Sequence, residues 1–309
     1  MNNIIFLSGA LRSGTTMLHL ILDHHPALKN PGEFDFLFDY LSENSDEPST
    51  LTYHQQLAQD RIFLAKKLHL DPKLSYREQV INFAQQLQTD NQLLILNIHR
   101  NFHYAQNYFP DAKFIHFIRD PRDVARSSIG MGWAGNTYYG VDHWIKTEES
   151  WSLLRPQLRS GQFIELHYED LVQSPEAQLA KLCEFLGVDF SDEMLGYNSN
   201  STYEAPDPSL TFQWKKKQSP REVELVEYKT KTMMLQYGYE LLHQLPKEPS
   251  SFEKCLLALK NKQAKTTFSI NRYGAYLYLL NQLSRRLGLA ATQKKCRMAM
   301  NEIDKKYLR

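Results

Sequence analysis

The segment from Ser8 to Thr16, with the sequence SGALRSGTT, contains the residue types that most clearly suggest chemistry in this chain. Its two glycines allow the backbone to wrap closely around an anion, and the first amides of a following helix would point at that anion. Hydroxyl side chains and one planar guanidinium add further donors. The candidate anion-binding residues are Arg12, Ser13, Gly14, Thr15 and Thr16. This pattern predicts a binding loop for a phosphate or a similar anion.

The loop has the glycine spacing of the ATP-binding motif GxxxxGK[ST], in which the lysine reaches the terminal phosphates and the Ser or Thr holds Mg²⁺. Gly9 and Gly14 have that spacing, but Thr15 stands where the lysine would be, and the cation is at Arg12. The difference argues against a Mg²⁺-dependent nucleotide hydrolase. It suits a donor that ends in a sulfuryl group, which carries less charge and needs no metal. We therefore expect no metal site.

A second cation-rich turn follows the apolar run Lys113–Ile118. Arg119 comes directly after that run, and Ser127 lies eight residues further on, inside the expected next helix. A guanidinium and a hydroxyl placed in this way can bind a phosphate together. The pattern predicts a second phosphate site, well away from the first loop.

The elements that must position these residues are short apolar runs that alternate with helical patterns. The predicted strands are Ile4–Ser8, Leu93–Ile98, Lys113–Ile118 and Phe163–Tyr168. The predicted helices include Thr15–His24, Tyr53–Leu68, Tyr76–Leu87, Asp142–Leu158 and Pro175–Leu186. This alternation predicts an α/β fold with a doubly wound parallel sheet of about four to five strands, similar to P-loop nucleotide hydrolases, with flanking helices. Ligands of such sheets bind at the carboxyl ends of the strands, where both candidate turns lie.

The last third of the chain predicts a loop, a capped helix and a helical extension. The segment Tyr197–Leu210 is rich in Ser, Asn and Pro and reads as a loop. Ser219 and Glu222 form the pattern of a capping box at the start of another helix. Prolines just beyond Leu245 mark a boundary, and Phe252–Leu308 has a helical pattern. We therefore divide the chain into a main domain, residues 1–245, and a C-terminal helical extension packed on it, residues 246–309.

The charge of the chain is unevenly distributed. From Leu241 to the end there are 14 Lys and Arg but four Asp and Glu, a net charge of +10, while the whole chain carries +1. The basic end could attract an anionic polymer or a membrane surface, or it could be the solvated face of packed helices. We expect no nucleic-acid partner.

The two turns together resemble those of sulfotransferases that use 3′-phosphoadenosine 5′-phosphosulfate (PAPS), closer to the tyrosylprotein and carbohydrate branch. The resemblance implies that the loop Arg12–Thr16 binds the 5′-phosphosulfate and that Arg119 and Ser127 bind the 3′-phosphate. Tyr168 begins a YEDL sequence similar to the family element that lies against the adenosine. Lys215 belongs to a WK pair similar to the family element near the residues that close over the donor.

Sulfuryl transfer needs a general base for the acceptor and donors for the leaving oxygen, and the resemblance implies two candidates for the base. Glu33 lies in a Pro-Gly-Glu context that matches the tyrosylprotein-like branch, and we prefer it. His99 follows the strand Leu93–Ile98, where the cytosolic small-molecule branch has its catalytic histidine. Glu33 could instead favour a helix start, and His99 could instead be a polar strand-end or acceptor-binding residue.

One departure from the family concerns the cation that stabilises the leaving oxygen. Many relatives have a lysine two residues before the position of His99, where this chain has Asn97. An amide donates a hydrogen bond but brings no charge. Arg100 or the run Lys215–Lys217 could replace that cation, or catalysis could depend more strongly on Arg12.

The sequence therefore predicts a PAPS-dependent sulfotransferase that acts on a hydroxyl or amine by in-line displacement. The alternatives are a P-loop nucleotide kinase and a non-catalytic nucleotide-binding module. The acceptor could be a small molecule, lipid, carbohydrate or peptide, and four aromatic residues could line an apolar acceptor pocket or belong to the core: Phe34, Phe36, Phe38 and Tyr40. Three cysteines cannot form a disulfide framework, and no secretory signal pattern opens the sequence, so we expect a cytoplasmic protein.

Overall fold

A parallel sheet of five strands lies at the centre of the computed structural model, which describes residues 4–42, 44, 46–200 and 207–307, except for the side chains of 198–200. The strands are β1 (Ile4–Ser8), β2 (Leu28–Lys29), β3 (Leu93–Ile98), β4 (Lys113–Ile118) and β5 (Phe163–His167). Their spatial order is β2-β3-β1-β4-β5, and every pairing is parallel. The predicted α/β class and strand number are confirmed.

Helices cover the sheet and extend the chain at its carboxyl end. The described residues before position 240 form α1 (Thr15–Asp23), α2 (Thr50–Leu57), α3 (Arg61–Lys66), α4 (Tyr76–Leu87), α5 (Ala105–Tyr108), α6 (Pro121–Gly130), α7 (Thr137–Gly140), α8 (Asp142–Leu154), α9 (Tyr168–Gln173), α10 (Pro175–Leu186), α11 (Trp214–Lys217) and α12 (Pro220–Gln236). Those after it form α13 (Ser251–Tyr273), α14 (Ala275–Arg286) and α15 (Ala290–Lys305). No helix in the described part of the chain is long and apolar enough to cross a bilayer.

The central strand β1 explains the nearly continuous apolar runs in the sequence. Its side chains alternate between two buried clusters: Ile4 and Phe6 face the cluster that includes residues of α2 and α4, and Ile5 and Leu7 face the one that includes α1 and α10. Because helices cover both faces of a parallel sheet, every residue of its central strand must be buried. All five residues of β1 are buried.

At the amino-terminal edge, one predicted helix differs from the structure and one strand was not predicted. The helix predicted over Tyr53–Leu68 is two helices, α2 and α3. Asp60 separates them because its carboxylate accepts a hydrogen bond from the amide of Phe63, at 2.9 Å, and caps the start of α3. The edge strand β2 was not predicted, since two residues are too few to show an alternating pattern.

The aromatic residues after the first helix belong to the core. The side chains of Phe34, Phe36 and Phe38 are fully buried and pack in the cluster on one face of the sheet. Tyr40 is partly buried against the same cluster and donates a hydrogen bond to Asp60. The suggestion that the three phenylalanines line an acceptor pocket is therefore wrong, because their alternate spacing falls in a short 3-10 turn buried on all sides.

The last helices differ from the rest of the molecule in burial. The capping box predicted at Ser219 and Glu222 is present at the start of α12. Of the predicted loop Tyr197–Leu210, residues 201–206 lie outside the described residues, and the flanking parts form 3-10 turns. Beyond α12, the buried residues of α13, α14 and α15 are only Ser284 and Cys296.

Candidate active site

The loop between β1 and α1 has the geometry of an anion cradle. Ser13 donates its amide hydrogen to the carbonyl of Ala10, at 3.0 Å, and Gly14 has a φ of +89°, a left-handed conformation that favours glycine. The side chain of Ser13 is fully buried, and its hydroxyl has no hydrogen-bond partner among the described residues. Since a buried hydroxyl normally has a partner, this free donor fits a loop that binds an anion.

Gly14 also lies against an aromatic ring from the end of β5. A Cβ atom at position 14 would lie 2.6 Å from Cδ2 of Tyr168, so only glycine fits there without a shift of the ring. The same ring also contacts Arg119, whose guanidinium carbon lies 4.0 Å from the ring centroid. Burial of the Tyr168 side chain raises the pKa of its phenol. Tyr168 thus packs between the loop and the second cation-rich turn.

The structure brings the two predicted anion-binding groups into direct contact, so the prediction that the second site lies well away from the first loop is wrong. The two turns meet because β1 and β4 are paired neighbours in the sheet. Arg119 donates one hydrogen bond to the carbonyl of Arg12, at 3.2 Å, and another to the carbonyl of Leu210, at 2.9 Å. Arg12 donates from Nε to the hydroxyl of Ser127, at 3.0 Å. The Nε atom of Arg119 is buried without a hydrogen-bond partner in the described ranges. We call Arg12, Ser13, Arg119, Ser127 and Tyr168 the loop cluster.

A network of buried charges fixes the turn that carries Arg119. Arg122 forms a bidentate pair with Asp120 and donates a hydrogen bond to Glu227 of α12, at 2.8 Å. Its guanidinium also lies 3.8 Å from the ring centroid of Trp214, whose indole donates a hydrogen bond to Asp120, at 3.0 Å. The amide of Asp120 donates to Glu169, and burial raises the pKa of that carboxyl to about 7. These bonds join β4, α6, α11 and α12 behind the loop cluster.

The two candidate bases lie beside each other at the edge of the sheet. The amide of Phe34 donates to the carbonyl of Asn97, at 2.8 Å, which extends the parallel pairing and places Glu33 next to the end of β3. The Oε1 atom of Glu33 lies 3.9 Å from Nε2 of His99. The Glu33 side chain is 41% exposed and that of His99 is 2% exposed. Strand pairing therefore brings together two residues that are distant in the sequence.

The tautomer of His99 follows from its surroundings. Its Nδ1 atom lies 2.8 Å from the carbonyl oxygen of Gly9, and a carbonyl oxygen can only accept, so Nδ1 carries a hydrogen. Nε2 then faces Glu33 with its lone pair when the ring is neutral. A proton on either Nε2 or the carboxyl group turns this contact from repulsive to attractive. Asp35 accepts a hydrogen bond from the backbone amide of His99, at 2.7 Å, and fixes the position of the residue.

A cavity of about 300 Å³ connects the loop with the candidate bases. It is lined by Thr15, Thr16, His19, Pro31, Gly32, Glu33, Arg61, Ile62, Ala65, Lys66, Asn97 and His99. The hydroxyl residues at the start of α1 therefore open into the same space as the carboxylate and the imidazole. We call this space the Glu33 cavity.

Sequence reasoning missed two cations that line this cavity, Arg61 and, at the end of α3, Lys66. Its ammonium group donates a hydrogen bond to the carbonyl of Pro31 and lies 4.9 Å from the ring centroid of Phe34. Burial lowers the pKa of Lys66, and attraction to Glu33 opposes that effect. No motif marks this lysine, because α3 carries no sequence pattern beyond its capped start.

The cations that the sequence suggested in place of the missing lysine, Arg100 and Lys215, lie outside the Glu33 cavity. Arg100 forms a bidentate pair with Asp39, with both donor–acceptor distances at 2.6 Å. Lys215 packs its ammonium group 5.6 Å from the ring centroid of Trp214, next to the buried charge network. Asn97 lines the Glu33 cavity, and its Oδ1 atom is buried without a partner among the described residues. Within the same residues, no group of three or more His, Cys, Asp or Glu side chains is arranged to hold a metal ion.

Comparison with known proteins agrees with this geometry. Residues 4–192 match a family model described as "Sulfotransferase family". A putative protein-tyrosine sulfotransferase of Caenorhabditis briggsae is 29% identical over 63% of this chain and 69% of its own length, and protein-tyrosine sulfotransferase 2 of Gallus gallus is 25% identical over 62% of this chain and 53% of its own.

A solved sulfotransferase domain from the curacin biosynthetic pathway shares the fold. It has a TM-score of 0.58 and 22% identity, and the match covers 78% of this chain and 99% of that domain. The resemblance that the loop and the second turn indicated is thereby confirmed. Because the family match spans more than half of the sequence, this chain belongs to the sulfotransferase family and is an enzyme of that class.

Proposed function

We propose that this protein transfers the sulfuryl group of PAPS to a hydroxyl or amine of its acceptor, with Glu33 as the general base. The observation that carries the proposal is the Glu33 cavity, in which the hydroxyl residues at the start of α1 and the two candidate bases share one space. A transfer site needs the donor's reactive group and a proton acceptor within reach of the same atom.

The loop cluster supplies the proposed donor contacts. Among the described residues, the buried hydroxyl of Ser13 and the buried Nε of Arg119 have no hydrogen-bond partner, and both are donors suited to an anion with two charged ends. Thr15 and Thr16 open from the helix start into the Glu33 cavity. Arg12 now bonds to Ser127, and we propose that both bind the donor's phosphates instead when it is present.

Tyr168 and Lys215 are the remaining proposed donor contacts. The ring of Tyr168 packs between Gly14 and Arg119, a position that suits contact with the adenosine end of the donor. Lys215 is exposed at the start of α11, beside a tryptophan that the buried charge network holds in place. That the reaction needs no metal stays a proposal. In this scheme, the positive charge of arginine and lysine side chains stabilises the leaving oxygen.

The reaction step follows from the position of Glu33. The acceptor oxygen loses its proton to the Glu33 carboxylate and forms a bond to sulfur, while the bond between sulfur and the bridging oxygen of the donor breaks. Exposure favours Glu33 over His99, because its carboxylate opens into the cavity whereas the imidazole is buried. Since Nδ1 of His99 is bound to Gly9, we propose that Nε2 orients the Glu33 carboxylate and shares its proton.

The acceptor and the cell compartment stay proposals. Small molecules, lipids, carbohydrates and peptides all offer the hydroxyl or amine that this chemistry requires, and cytoplasmic location stays a prediction from the sequence. We also propose that residues 246–309 form an extension packed on the domain of residues 1–245. The bond from the Gly135 amide to Asn261, at 2.7 Å, and the pair between Arg221 and Glu253, at 2.6 Å, support that division.

Ligand binding and one substitution test the proposed function. We expect 3′-phosphoadenosine 5′-phosphate to stabilise the protein against heat by about 2.7 kcal/mol at a hundred times its dissociation constant, and ATP with Mg²⁺ to have little effect. Glu33→Gln should keep this stabilisation but lower turnover by about 10²–10⁴-fold. Stabilisation by ATP alone would refute the proposed donor. Full activity of Glu33→Gln together with an inactive His99→Ala would reassign the base.

A further inference from the structure

Lys66 contacts both sides of the short turn that carries Glu33. Its ammonium group donates a hydrogen bond to the carbonyl of Pro31, two residues before Glu33, and lies over the ring of Phe34, one residue after it. Gly32 has a φ of +86°, and a Cβ atom there would lie 3.4 Å from the ammonium nitrogen. The cation therefore packs directly against the backbone of this turn.

The other side of the turn is held by the sheet. The backbone amide of Asn97 donates to the carbonyl of Gly32, at 3.0 Å. The backbone carbonyl of Asn97 accepts from the amide of Phe34, at 2.8 Å. These two bonds fix the backbone of the turn against β3. The contacts of Lys66 come from α3, on the opposite side, so the turn is clamped between a strand and a helix.

The charge of Lys66 also acts on the space that Glu33 faces. The ionisable residues that line this cavity are His19, Glu33, Arg61, Lys66 and His99. Attraction between Lys66 and Glu33 is also one of the effects on the pKa of Lys66, where it opposes the larger effect of burial.

We infer that Lys66 is a positioning residue for catalysis, which holds the Pro31–Phe34 turn and thereby keeps the Glu33 carboxylate in place. The inference rests on the proposed role of Glu33 as the base. Lys66 acts through Glu33, since its ammonium group is occupied by the Pro31 carbonyl and the Phe34 ring. It contributes a cation to the Glu33 cavity from a helix that lies outside both anion-binding turns.

Substitution of Lys66 tests this inference. We expect Lys66→Met to lower kcat by about 10²-fold, the loss typical of a misplaced catalytic group, with an unchanged KM for PAPS. The split between kcat and KM separates this role from a loss of donor binding. Lys66→Arg should recover most of the activity, since its guanidinium can donate to the same Pro31 carbonyl.

Two comparisons make the result decisive. Lys73→Met removes an exposed lysine from the next loop and should leave both kcat and KM unchanged. If Lys66→Met does not fold, Lys66→Arg and Lys66→Gln replace it, and the inference then requires that only the glutamine variant loses kcat. An unchanged kcat in a folded, uncharged Lys66 variant, with Glu33→Gln inactive, overturns the role of Lys66 alone. An active Glu33→Gln overturns the proposed base itself.

Discussion

The α/β domain and the three C-terminal helices use charged side chains in opposite ways. In the domain, Arg122 is buried between Asp120 and Glu227, so these charges are paired away from water. In α13, α14 and α15 most cations remain on the surface, although Arg272 pairs with Asp304, and the buried residues of these helices are a serine and a cysteine. The domain thus uses charge to fix the geometry of a site, whereas the helices present charge to the outside.

The exposed faces of the C-terminal helices also carry apolar side chains. The exposed apolar residues of α13 and α14 are Phe252, Leu256, Leu259, Tyr276, Leu279 and Leu283. Residues three and four apart lie on one face of a helix, so both sets form stripes, and lysines and arginines flank them. Such a combination is typical of helices that bind the surface of an anionic membrane. The two regions thus differ in where their charged and apolar side chains lie, with the candidate site in the domain and the exposed stripes on the helices.

The largest effect that tests this contrast is expected from Gly14→Ala. The new methyl group would meet the Tyr168 ring at 2.6 Å, in a backbone conformation of φ +89°. Backbone strain and overpacking each cost about 1–3 kcal/mol, so thermal unfolding should occur at a clearly lower temperature. Gly161 also has a positive φ, +76°, but no described atom lies within 4 Å of an added Cβ, so Gly161→Ala should incur the backbone cost alone. Equal losses of stability in the two variants would show that the Tyr168 ring can move away from the loop without further cost.

A smaller effect, confined to donor binding, is expected from Arg119→Ala. The substitution removes a guanidinium that stacks on Tyr168 and has a buried Nε without a partner among the described residues. A hydrogen bond to a charged group contributes about 1.5–3 kcal/mol, so the affinity for 3′-phosphoadenosine 5′-phosphate should fall by about 10–100-fold by calorimetry. Arg126→Ala removes an exposed arginine of α6, the helix that follows Arg119, and should bind normally. Comparable losses in both would mean that general positive charge, and not this site, attracts the donor.

The smallest effect on the site is expected from changes in the C-terminal helices. Leu279→Glu combined with Leu283→Glu alters exposed positions, so stability should change by about 0.5 kcal/mol or less and turnover should be unchanged. Much less of the double variant than of the unchanged protein should sediment with phosphatidylglycerol vesicles. Neither protein should bind phosphatidylcholine vesicles. A protein that ignores both vesicle types but forms a dimer that the double substitution breaks would identify a second copy as the partner of this face.

The predictable part of the fold was local in sequence. The strands β1, β3 and β4 were predicted with the bounds that the structure has, because each is a short apolar run buried on both faces. The break between α2 and α3 was missed, because a periodic pattern does not show that the side chain of Asp60 caps the start of a new helix. The burial of Phe36 and Phe38 was one of two alternatives that the sequence left open, because alternation shows which faces differ but not what covers them.

By itself, the sequence determined the class of the protein and half of its site. Strand, glycine loop, arginine and helix follow one another within Ile4–Asp23, so local geometry alone creates the anion cradle. Only the tertiary structure decided the other half. Parallel pairing places Glu33 beside His99, and α3 brings Lys66 to the same cavity. The reason is physical: periodicity specifies which face of an element is buried, but the packing of distant elements decides which side chains meet on it.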